Sequence, residues 1–399
     1  MRVCFFNRSY WPDTGATGQL LTELAEDLVA HYGMEVTVVT GYPVAAGGDV
    51  PARDVRRGVT IIRAAGTTFA PARFAGRALN YVTYFLTAAW AGRRLPAQDV
   101  VVALTDPPII GLAALAARRG GGFVFYCQDI FPEVATLLED FRSDLVNGVL
   151  ERLNRLLVAR ADRIIALGDT MKARLVDGKG ADPAKVEVIH NWADPDAVTP
   201  GPKRNPFSEA QGLADRFVVL HAGNLGQSQN LDVVIDAAAR LAHRDDITWL
   251  FIGDGTRRAR LEAQVAERGL AHVRFLPYQP REHLTWTYAT ADVCLVSLKP
   301  GLAGYIVPSK LYTILAAGRP YVAAVEESSE TAAITRAHDC GRLVPPGDAD
   351  ALAQAVEALV DDAPARAAMG ARAREAAASF ARTRQVAAHA AVIRMAARR

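Results

Sequence analysis

The sequence predicts an α/β protein built from two doubly wound parallel sheets. Three observations support this prediction. Short apolar runs alternate with helical patterns over residues 2–189, a proline-rich stretch at 191–206 interrupts them, and a second alternating series follows. The chain has 399 residues, 50% of them apolar, which is enough for two domains with a core each.

The first series begins with a strand, a loop of small residues and a helix. The apolar run 2–6 predicts the strand, and leucines at helical spacing over 19–31 predict the helix. Further apolar runs predict strands at 35–40, 59–63, 99–104, 122–127, 163–167 and 185–189. Strands that alternate with helices are typical of a parallel sheet.

The stretch 191–206 has four prolines and no hydrophobic periodicity, which indicates a linker. Beyond it, an Ala/Arg-rich pattern over 364–399 predicts one long helix. The strands of the second series are predicted at 217–221, 247–252, 273–275, 292–296 and 320–325. Two Rossmann-like domains joined by a linker leave one obvious place for a ligand, the cleft between the carboxyl ends of two sheets.

Composition excludes several classes of protein. No window approaches about 18 uninterrupted apolar residues, and the first apolar run ends before Arg8, too early for a signal peptide. The four cysteines have the spacing of neither a metal-binding pair nor a disulfide framework. The sequence contains no nucleophile elbow, Walker A loop or zinc-protease motif. We therefore expect a cytoplasmic protein without a metal site.

Positive charge is concentrated in two segments. Residues 52–94 and residues 364–399 each hold eight arginines and one acidic residue, a net charge of +7, whereas the whole chain has only +2. Such segments fit an anionic partner such as a membrane surface, a phosphate or a nucleic acid. They fit solvated helix faces equally well.

A loop of small residues separates the first strand from the first helix. Gly15, Thr17 and Gly18 let backbone N–H groups approach an anion. The loop lacks the dinucleotide-binding pattern, and it also fits a simple tight turn.

The second domain repeats this arrangement after its first strand. The loop at 221–232 contains Gly223, and Asn224 and Gln229 add side-chain donors that suit a diphosphate or a sugar oxygen. The next strand ends in a tight turn, where Asp254 is either a ligand contact or a turn residue.

The segment 308–320 is the most informative part of the second domain. Ser309 and Lys310 stand where a helix begins, so that free backbone N–H groups and an ammonium point the same way. The apolar loop before them contains Gly304, and a loop that contains a glycine can approach a phosphate. A purely structural helix would not require Ser309 and Lys310 at its start.

Two acidic residues follow a strand of the first domain. Asp129 stands at the carboxyl end of the strand, where it is placed for chemistry in the cleft. Glu133 is either a second catalytic group or an acid that interacts favourably with a helix dipole. The histidines show no metal-binding spacing, and for His190 and His221, at strand ends, a role in the cleft stays open.

Taken together, these segments resemble the retaining family 4 glycosyltransferases of the GT-B fold. The resemblance is closest to the branch of bacterial O-antigen and colanic acid fucosyl- and N-acetylfucosaminyltransferases. Each matching motif is weak alone, but ten occur in the right order over nearly the whole chain. They are YWPDTG at 10–15, TDPP at 105–108, DIFPE at 129–133, ADRII at 161–165, HNW at 190–192, GNLG at 223–226, GDG at 253–255, PSK at 308–310, AAGRP at 316–320 and VPPGD at 344–348.

The resemblance implies two Rossmann-like domains that face a central cleft, with a C-terminal helix that returns to the first domain. We expect an acceptor-binding domain at 1–197, a nucleotide-sugar-binding domain at 198–375 and the returning helix at 376–399. The resemblance also implies a retaining, metal-independent hexosyltransferase with no cofactor, the nucleotide-sugar being a co-substrate.

At the diphosphate site the sequence departs from the family. Asn224 and Gln229 stand where relatives carry Arg and Lys, so we expect Lys310 to supply the positive charge. Many relatives carry a histidine where Asp129 stands. We expect its carboxylate to stabilise positive charge in the transition state and not to act as a nucleophile.

A second departure concerns the ribose and the sugar. Tyr305 and Thr313 stand where relatives carry two glutamates eight positions apart, and we expect Glu330 to replace part of their function.

The catalytic residues that we expect are Asp129 and Glu133. The expected donor-binding residues are Gly15, Thr17, Gly18, Gly223, Asn224, Gln229, Asp254, Gly304, Tyr305, Ser309, Lys310, Thr313 and Glu330.

The expected partners are a UDP- or GDP-sugar and a hydroxyl acceptor, either a lipid-linked saccharide or a small molecule from polysaccharide or natural-product biosynthesis. The Arg-flanked helix pattern within 69–94 fits peripheral contact with the inner membrane face, and it also fits a buried helix. A nucleotide-sugar epimerase of the same fold and a non-catalytic nucleotide-sugar binding protein are the alternatives. No nucleic acid partner is expected, because no RNA-binding motif is present.

Overall fold

The structure, a computed structural model, describes residues 1–13, 15–43, 50–67, 69, 74–138, 143–194 and 196–397. The chain divides into two compact units. The first comprises Met1–His190, Gly304–Ile306 and Thr383–Arg399, and the second comprises Asn191–Ala303 and Val307–Arg382. The division thus falls after His190, a few residues before the boundary at 197 that we expected from the linker.

Each unit contains one sheet. The strands of the first unit are β1 (Arg2–Phe6), β2 (Glu35–Thr40), β3 (Arg53–Arg56), β4 (Val59–Arg63), β5 (Val100–Ala103), β6 (Gly122–Tyr126), β7 (Arg163–Ala166) and β8 (Val186–Val188). They lie in the order β3-β4-β2-β1-β5-β6-β7-β8, and β3 runs antiparallel to β4 while the other pairs of described strands are parallel.

The strands of the second unit are β9 (Phe217–Ala222), β10 (Ile247–Ile252), β11 (Val273–Leu276), β12 (Val293–Ser297), β13 (Tyr321–Ala324) and β14 (Gly341–Val344). Their order is β11-β10-β9-β12-β13-β14, and each pair is parallel. The predicted α/β class with two doubly wound sheets is therefore confirmed.

Helices connect the strands. Those that begin in the first unit are α1 (Ala16–Tyr32), α2 (Phe74–Arg94), α3 (Ile110–Ala117), α4 (Glu133–Leu137), α5 (Asp144–Arg160) and α6 (Asp169–Ala173), which continues as a π-helical turn at Arg174–Gly178. The others are α7 (Pro206–Ala210), α8 (Leu231–Arg240), α9 (Arg258–Glu267), α10 (Leu284–Thr290), α11 (Lys310–Ala316), α12 (Glu330–His338), α13 (Ala349–Asp361), α14 (Ala363–Ala377) and α15 (Arg382–Ala397). Within the described ranges, no helix combines the length and the apolar character that crossing a bilayer requires.

The apolar runs of the sequence form the centres of the sheets. Every residue of β5, β6, β10 and β12 is buried. Because helices cover both faces of a parallel sheet, a central strand needs a continuous apolar run. The predicted strands are therefore found within one or two residues of their expected positions.

Two strands, β3 and β14, were missed by the sequence analysis. Each lies at the edge of its sheet, where it has one neighbouring strand. The residues of β3, Arg-Asp-Val-Arg, alternate between exposed and partly exposed, and Arg342 of β14 is exposed. An edge strand needs no continuous apolar run, and the sequences of β3 and β14 do not differ from those of polar loops.

The prediction of one long helix over 364–399 is wrong. Helix α14 ends at Ala377, a 3₁₀ turn follows over Ala378–Phe380, and α15 begins at Arg382. The helical backbone is interrupted at Ala381, which is extended, and the preceding Phe380 ring is buried edge-on against Tyr312, with ring centres 5.2 Å apart.

The C-terminal helix α15 returns to the first unit, as expected. Residues Thr383–Arg399 belong to that unit, and the buried His389 ring lies edge-on to Tyr126 of β6, with ring centres 4.9 Å apart. The backbone of α15 also lies close to β6 at Gly122, where a Cβ atom would lie 2.3 Å from the Ala396 carbonyl oxygen.

Candidate active site

In the first unit, side chains at the carboxyl ends of three adjacent strands come together. Arg8 follows β1, Asp106 follows β5 and Asp129 follows β6. The Arg8 Nε donates to Asp106 Oδ1 at 3.2 Å, and Ser9 Oγ donates to Asp106 Oδ2 at 2.9 Å. The Asp106 carboxylate is therefore fixed by two donors.

Asp129 is largely buried, and its carboxylate has no hydrogen-bond or ion-pair partner among the described residues. Its backbone N–H donates to Thr105 Oγ1 at 3.2 Å, and Cys127 Sγ donates to its carbonyl oxygen at 3.4 Å. Burial, together with the negative charge of Asp106, raises the pKa of Asp129 to about 7. An unpartnered carboxyl group with a perturbed pKa at the carboxyl ends of the strands is typical of a functional site.

Glu133 begins α4, and its carboxylate is bound by Lys179. The Lys179 Nζ lies 2.7 and 2.9 Å from the two carboxylate oxygens and also pairs with Glu151. Only 1% of the Lys179 side chain is exposed, whereas 31% of the Glu133 side chain is, so a buried ammonium holds a partly exposed carboxylate. The contact fits the structural interpretation of Glu133 better than the catalytic one.

The segment 304–306 belongs to the first unit, although its neighbours in sequence belong to the second. The Ile130 N–H donates to the Tyr305 carbonyl oxygen at 3.0 Å, one residue from Asp129. Gly304 has a φ of +79°, and a Cβ atom there would lie 2.8 Å from a side-chain atom of α6. Only glycine fits this position, and the segment is thereby attached beside Asp129.

The predicted loop residues at the start of α1 also lie in the first unit. Gly15 is the N-cap of α1 and is exposed, and Thr17 and Gly18 lie in the first turn. A Cβ atom at Gly18 would lie 3.4 Å from backbone atoms of Ser9 and Tyr10, an ordinary contact distance. These three residues therefore belong to a different unit from Gly223.

In the second unit, the loops that follow β9 and β10 interlock through glycines. The Gly223 N–H donates to the Ile252 carbonyl oxygen at 2.8 Å. Gly253 has a φ of +144°, and a Cβ atom there would lie 1.9 Å from the Gly223 carbonyl oxygen. A Cβ atom at Gly255 would lie 2.5 Å from Asn224 Oδ1. Only glycine permits these approaches, which bring two strand ends into one site lined by backbone.

The Lys310 ammonium lies at this glycine loop. A Cβ atom at Gly223 would be 3.6 Å from Lys310 Nζ, and Nζ lies 3.1 Å from His221 Nε2. The His221 ring is fully buried. Burial lowers the pKa of Lys310 to about 7, and burial and the Lys310 charge hold the pKa of His221 well below its ordinary value.

Three other predicted residues lie on the loops around Gly223. Asn224 is exposed, and Gln229 is buried with its Oε1 unpartnered among the described residues. Asp254 is exposed and its Oδ1 accepts a hydrogen bond from the Gly255 N–H at 2.7 Å, as a turn residue does.

The remaining predicted residues stand at the starts of α11 and α12. Ser309 is the N-cap of α11 and makes no side-chain capping hydrogen bond, and Thr313, within α11, is partly buried. Glu330 begins α12 directly after its N-cap Ser329, whose Oγ accepts from the Ala332 N–H at 3.2 Å. Glu330 is buried, which is unusual for an acidic side chain.

Sequence reasoning missed the contribution of Asp106 and left the role of His221 open. Asp106 follows β5 within the matched motif TDPP, so its position at the carboxyl end of a strand, like that of Asp129, could have indicated it. The contact between His221 and Lys310 joins residues that are 89 positions apart, and no local pattern predicts it.

Neither unit shows a metal site in the parts of the chain that the structure describes. No group of three or more His, Cys, Asp or Glu side chains there could hold a metal ion. The four cysteines are buried and free. Independence from metal remains a prediction.

Comparison with protein families matches each half of the chain. The family "Glycosyl transferase 4-like domain" matches residues 15–192, and the family "Glycosyl transferases group 1" matches residues 204–376. The gap between the two matches falls on the proline-rich linker.

Two relatives align over most of the chain. WbjE of Pseudomonas aeruginosa, named as a glycosyltransferase, is 30% identical over 267 residues, which cover 66% of each chain, just under two thirds. WcaI of Escherichia coli (strain K12), whose name assigns it to colanic acid biosynthesis as a glycosyl transferase, is 27% identical over 83% of this chain and 84% of its own length.

Solved structures share the fold over nearly the whole chain. HepE of Anabaena, solved in complex with UDP and glucose, has a TM-score of 0.76 at 18% identity, with 99% of each chain covered. WaaG, a glycosyltransferase involved in lipopolysaccharide biosynthesis, has a TM-score of 0.76 at 19% identity, with 98% of this chain and 99% of WaaG covered. At these identities the similarity shows the fold alone, which is GT-B.

Proposed function

The chain belongs to the GT-B glycosyltransferases of group 1, and on this premise we propose that it transfers a sugar from a nucleotide diphosphate donor to a hydroxyl acceptor in polysaccharide biosynthesis. In this proposal the donor is a UDP- or GDP-sugar that binds to the second unit, and the acceptor binds to the first. The names of WcaI and WaaG support the biosynthetic role, and the UDP and glucose bound to HepE support the donor class.

The donor assignment depends on one observation, the environment of the Lys310 ammonium. It lies beside Gly223 with a neutral imidazole as partner and no ion pair to a described carboxylate. A diphosphate placed against the glycine loop supplies the missing negative charge and accepts hydrogen bonds from Lys310 and from backbone N–H groups. We propose Asn224 and Gln229 as further donors to the same phosphates and Glu330 as a contact to the sugar or the ribose.

We assign Asp129 to the stabilisation of positive charge on the sugar as its bond to the diphosphate breaks. Its carboxylate has no competing cation among the described residues, and the loss of solvent around it strengthens its interaction with a developing charge. The leaving diphosphate accepts the acceptor's proton on the same face, so the anomeric configuration is retained. The scheme requires no metal ion.

A screen of intact UDP-, GDP- and dTDP-sugars tests this function. We expect one nucleotide class to raise the melting temperature, because a ligand at 100 times its dissociation constant stabilises the folded state by about 2.7 kcal/mol. Adding an acceptor, lipid-linked or soluble, is expected to release the nucleoside diphosphate and to form a product of retained anomeric configuration, observed by NMR. Stabilisation by none of the sugars would contradict the proposal, and isomerised donor without acceptor would indicate an epimerase.

Helix α2 supports a lipid-linked acceptor, because one of its faces is apolar and exposed. The opposite face is buried at Tyr84 and Ala88, so α2 is not a fully buried helix. Arg93 and Arg94 are exposed at its end, and the Arg94 guanidinium lies 3.5 Å from the centre of the Trp90 ring. Arg73 and the Arg77 side chain lie outside the described residues. The exposed apolar residues are Leu79, Val82, Leu86 and Trp90.

A second exposed apolar stripe lies on α5, at Leu145, Val149 and Leu156, with Arg152 among them. Helix α3 packs against α2, and its Gly111 lies against Leu157 of α5. The two stripes therefore flank α3 on one face of the first unit. Apolar side chains interspersed with arginines suit the surface of an anionic membrane.

Cosedimentation with anionic lipid vesicles tests this contact. We expect binding at low salt that weakens at high salt, and weaker binding when Arg73, Arg77, Arg93 and Arg94 are changed to Gln, since each contributes about 1 kcal/mol near such a surface. The matched control changes the exposed Arg240 and Arg268 of the second unit to Gln and is expected to bind as the wild type does. Failure to bind at low salt, or binding unaffected by the four changes, would favour a soluble acceptor.

A further inference from the structure

The lysine of the donor site is paired with a histidine instead of a carboxylate. Lys310 Nζ lies 3.1 Å from His221 Nε2 and 3.4 Å from Nδ1. His221 stands on β9, where its ring lies 5.9 Å from that of Phe251. The pair is thus enclosed by apolar strand residues on one side and by the glycine loop on the other.

A neutral imidazole holds Lys310 in place without compensating its charge. The His221 ring contacts the Asn224 backbone, and burial together with the Lys310 charge keeps the pKa of the ring well below its ordinary value. Nζ lies within hydrogen-bond distance of both ring nitrogens, of which the unprotonated one can accept from it, and the neutral ring contributes no negative charge. Both the amine and the ammonium form of Lys310 can donate this hydrogen bond.

Three charged groups on the surrounding elements are engaged elsewhere. After β10, Asp254 Oδ1 accepts from the Gly255 N–H, and Arg258 Nη1 donates to the Gly253 carbonyl oxygen at 2.9 Å. After β13, Glu326 Oε2 accepts from the N–H groups of residues 301 and 303 at 3.0 and 3.1 Å. None of these groups forms an ion pair with Lys310. The other titratable groups on the neighbouring segments are Tyr278, Cys294, Lys299 and Glu330.

We propose that Lys310 takes up a proton when the donor diphosphate binds beside Gly223, with His221 as the positioning residue that makes this uptake necessary. This inference rests on the proposed donor site. In the free protein, burial without a counter-ion leaves Lys310 half neutral at a pH of about 7. Two phosphate charges at the glycine loop favour the ammonium form of Lys310. The neutral fraction of Lys310 therefore takes up a proton from the solvent.

Isothermal titration calorimetry measures this uptake directly. The nucleotide-sugar that binds best in the thermal screen is titrated at pH 6 and at pH 8, each in two buffers of different ionisation enthalpy. A nucleotide-sugar is a diphosphate diester and exchanges no proton of its own in this range. We expect uptake of about 0.1 proton at pH 6 and about 0.9 at pH 8, with affinity falling about tenfold per pH unit above 8.

Two variants separate this linkage from other titrations. Lys310→Arg keeps a permanent positive charge and is expected to bind without proton uptake at either pH. His221→Asp supplies a fixed counter-ion and is expected to abolish the uptake at pH 8. If either variant fails to fold, the comparison of pH 6 with pH 8 in the wild type decides.

The outcomes distinguish this inference from the proposed function. Binding of no nucleotide-sugar would overturn the proposed function and this inference with it. Tight binding with no uptake at pH 8, or with equal uptake in Lys310→Arg, would overturn the inference and leave the donor site in place.

Discussion

Changing Asp129 to Asn is expected to lower turnover by about 100-fold or more, while the dissociation constant of the donor changes little. Asparagine keeps the size of the side chain and removes the negative charge, which acts on the sugar only as positive charge develops. Losing one preorganised electrostatic contact costs about 10²–10³ in turnover. Steady-state kinetics and calorimetry with the same donor measure the two quantities. Turnover close to that of the wild type would make Asp129 structural.

The pH profile provides a control for this assignment. The wild-type turnover is expected to rise with pH through about 7, as Asp129 ionises, and to be flat in Asp129→Asn. Asp106→Asn removes the neighbouring charge that raises the pKa of Asp129, so the rise is expected at lower pH. A rise that stays in place in Asp106→Asn would assign the titration to another group.

The raised pKa of Asp129 also predicts the sign of a stability change. The folded state holds the Asp129 proton up to a pH of about 7, whereas the ordinary pKa of an aspartate is 3.8, so the free energy of unfolding falls as pH rises between these values. Asp129→Asn removes this penalty. We expect the variant to be more stable than the wild type at pH 8, by up to about 4 kcal/mol, and equally stable near pH 4. A loss of activity together with a gain of stability is typical of a functional residue.

Changing Lys310 to Ala is expected to weaken donor binding about ten- to a hundredfold. The side chain contributes a charge-assisted hydrogen bond to the diphosphate, which is worth about 1.5–3 kcal/mol, and its Nζ lies beside Gly223. Titration calorimetry at pH 7 with the nucleoside diphosphate of the donor measures the change in the dissociation constant. An unchanged dissociation constant would refute the assignment.

Unfolding is not expected to cause this loss of affinity. The pKa of Lys310 is lowered to about 7 in the folded protein, so the free energy of unfolding rises with pH between 7 and 10.5 and is lowest below 7. Removing the amine is therefore expected to leave the melting temperature at pH 6 unchanged or raised. Lys172→Ala, which removes a positive charge from α6 in the first unit, is the matched control and is expected to bind donor as the wild type does.

The sequence predicted the central strands because a strand covered on both faces must be apolar along its whole length. The runs at 2–6, 122–127 and 247–252 meet this condition, and they became β1, β6 and β10 almost residue for residue. The edge strands β3 and β14 do not need to meet it, and neither was predicted. The helix pattern over 364–399 failed for a different reason, since Phe380 in the turn after α14 packs against Tyr312, a tertiary contact that no local pattern indicates.

Position along the chain was sufficient to single out two of the proposed site residues. Asp129 follows the carboxyl end of a strand, and Lys310 is the first residue of a helix, so sequence order alone assigned their positions. The same reasoning left Glu133 open, because its partner Lys179 is 46 residues away. Likewise Tyr305 was expected among the donor contacts, whereas its segment belongs to the first unit beside Ile130.

By itself the sequence determined the α/β class, the two doubly wound units, the family and the two residues on which catalysis and donor binding depend in our proposal. These properties follow from local order, because burial patterns, strand ends and motif spacing are all written along the chain. Only the tertiary structure decided the charge states. Burial, together with the charge of Asp106 on the adjacent strand, raises the pKa of Asp129 to about 7, and burial beside the His221 ring lowers the pKa of Lys310 to about 7. Charge states depend on desolvation and on neighbours distant in sequence, and folding alone brings these together.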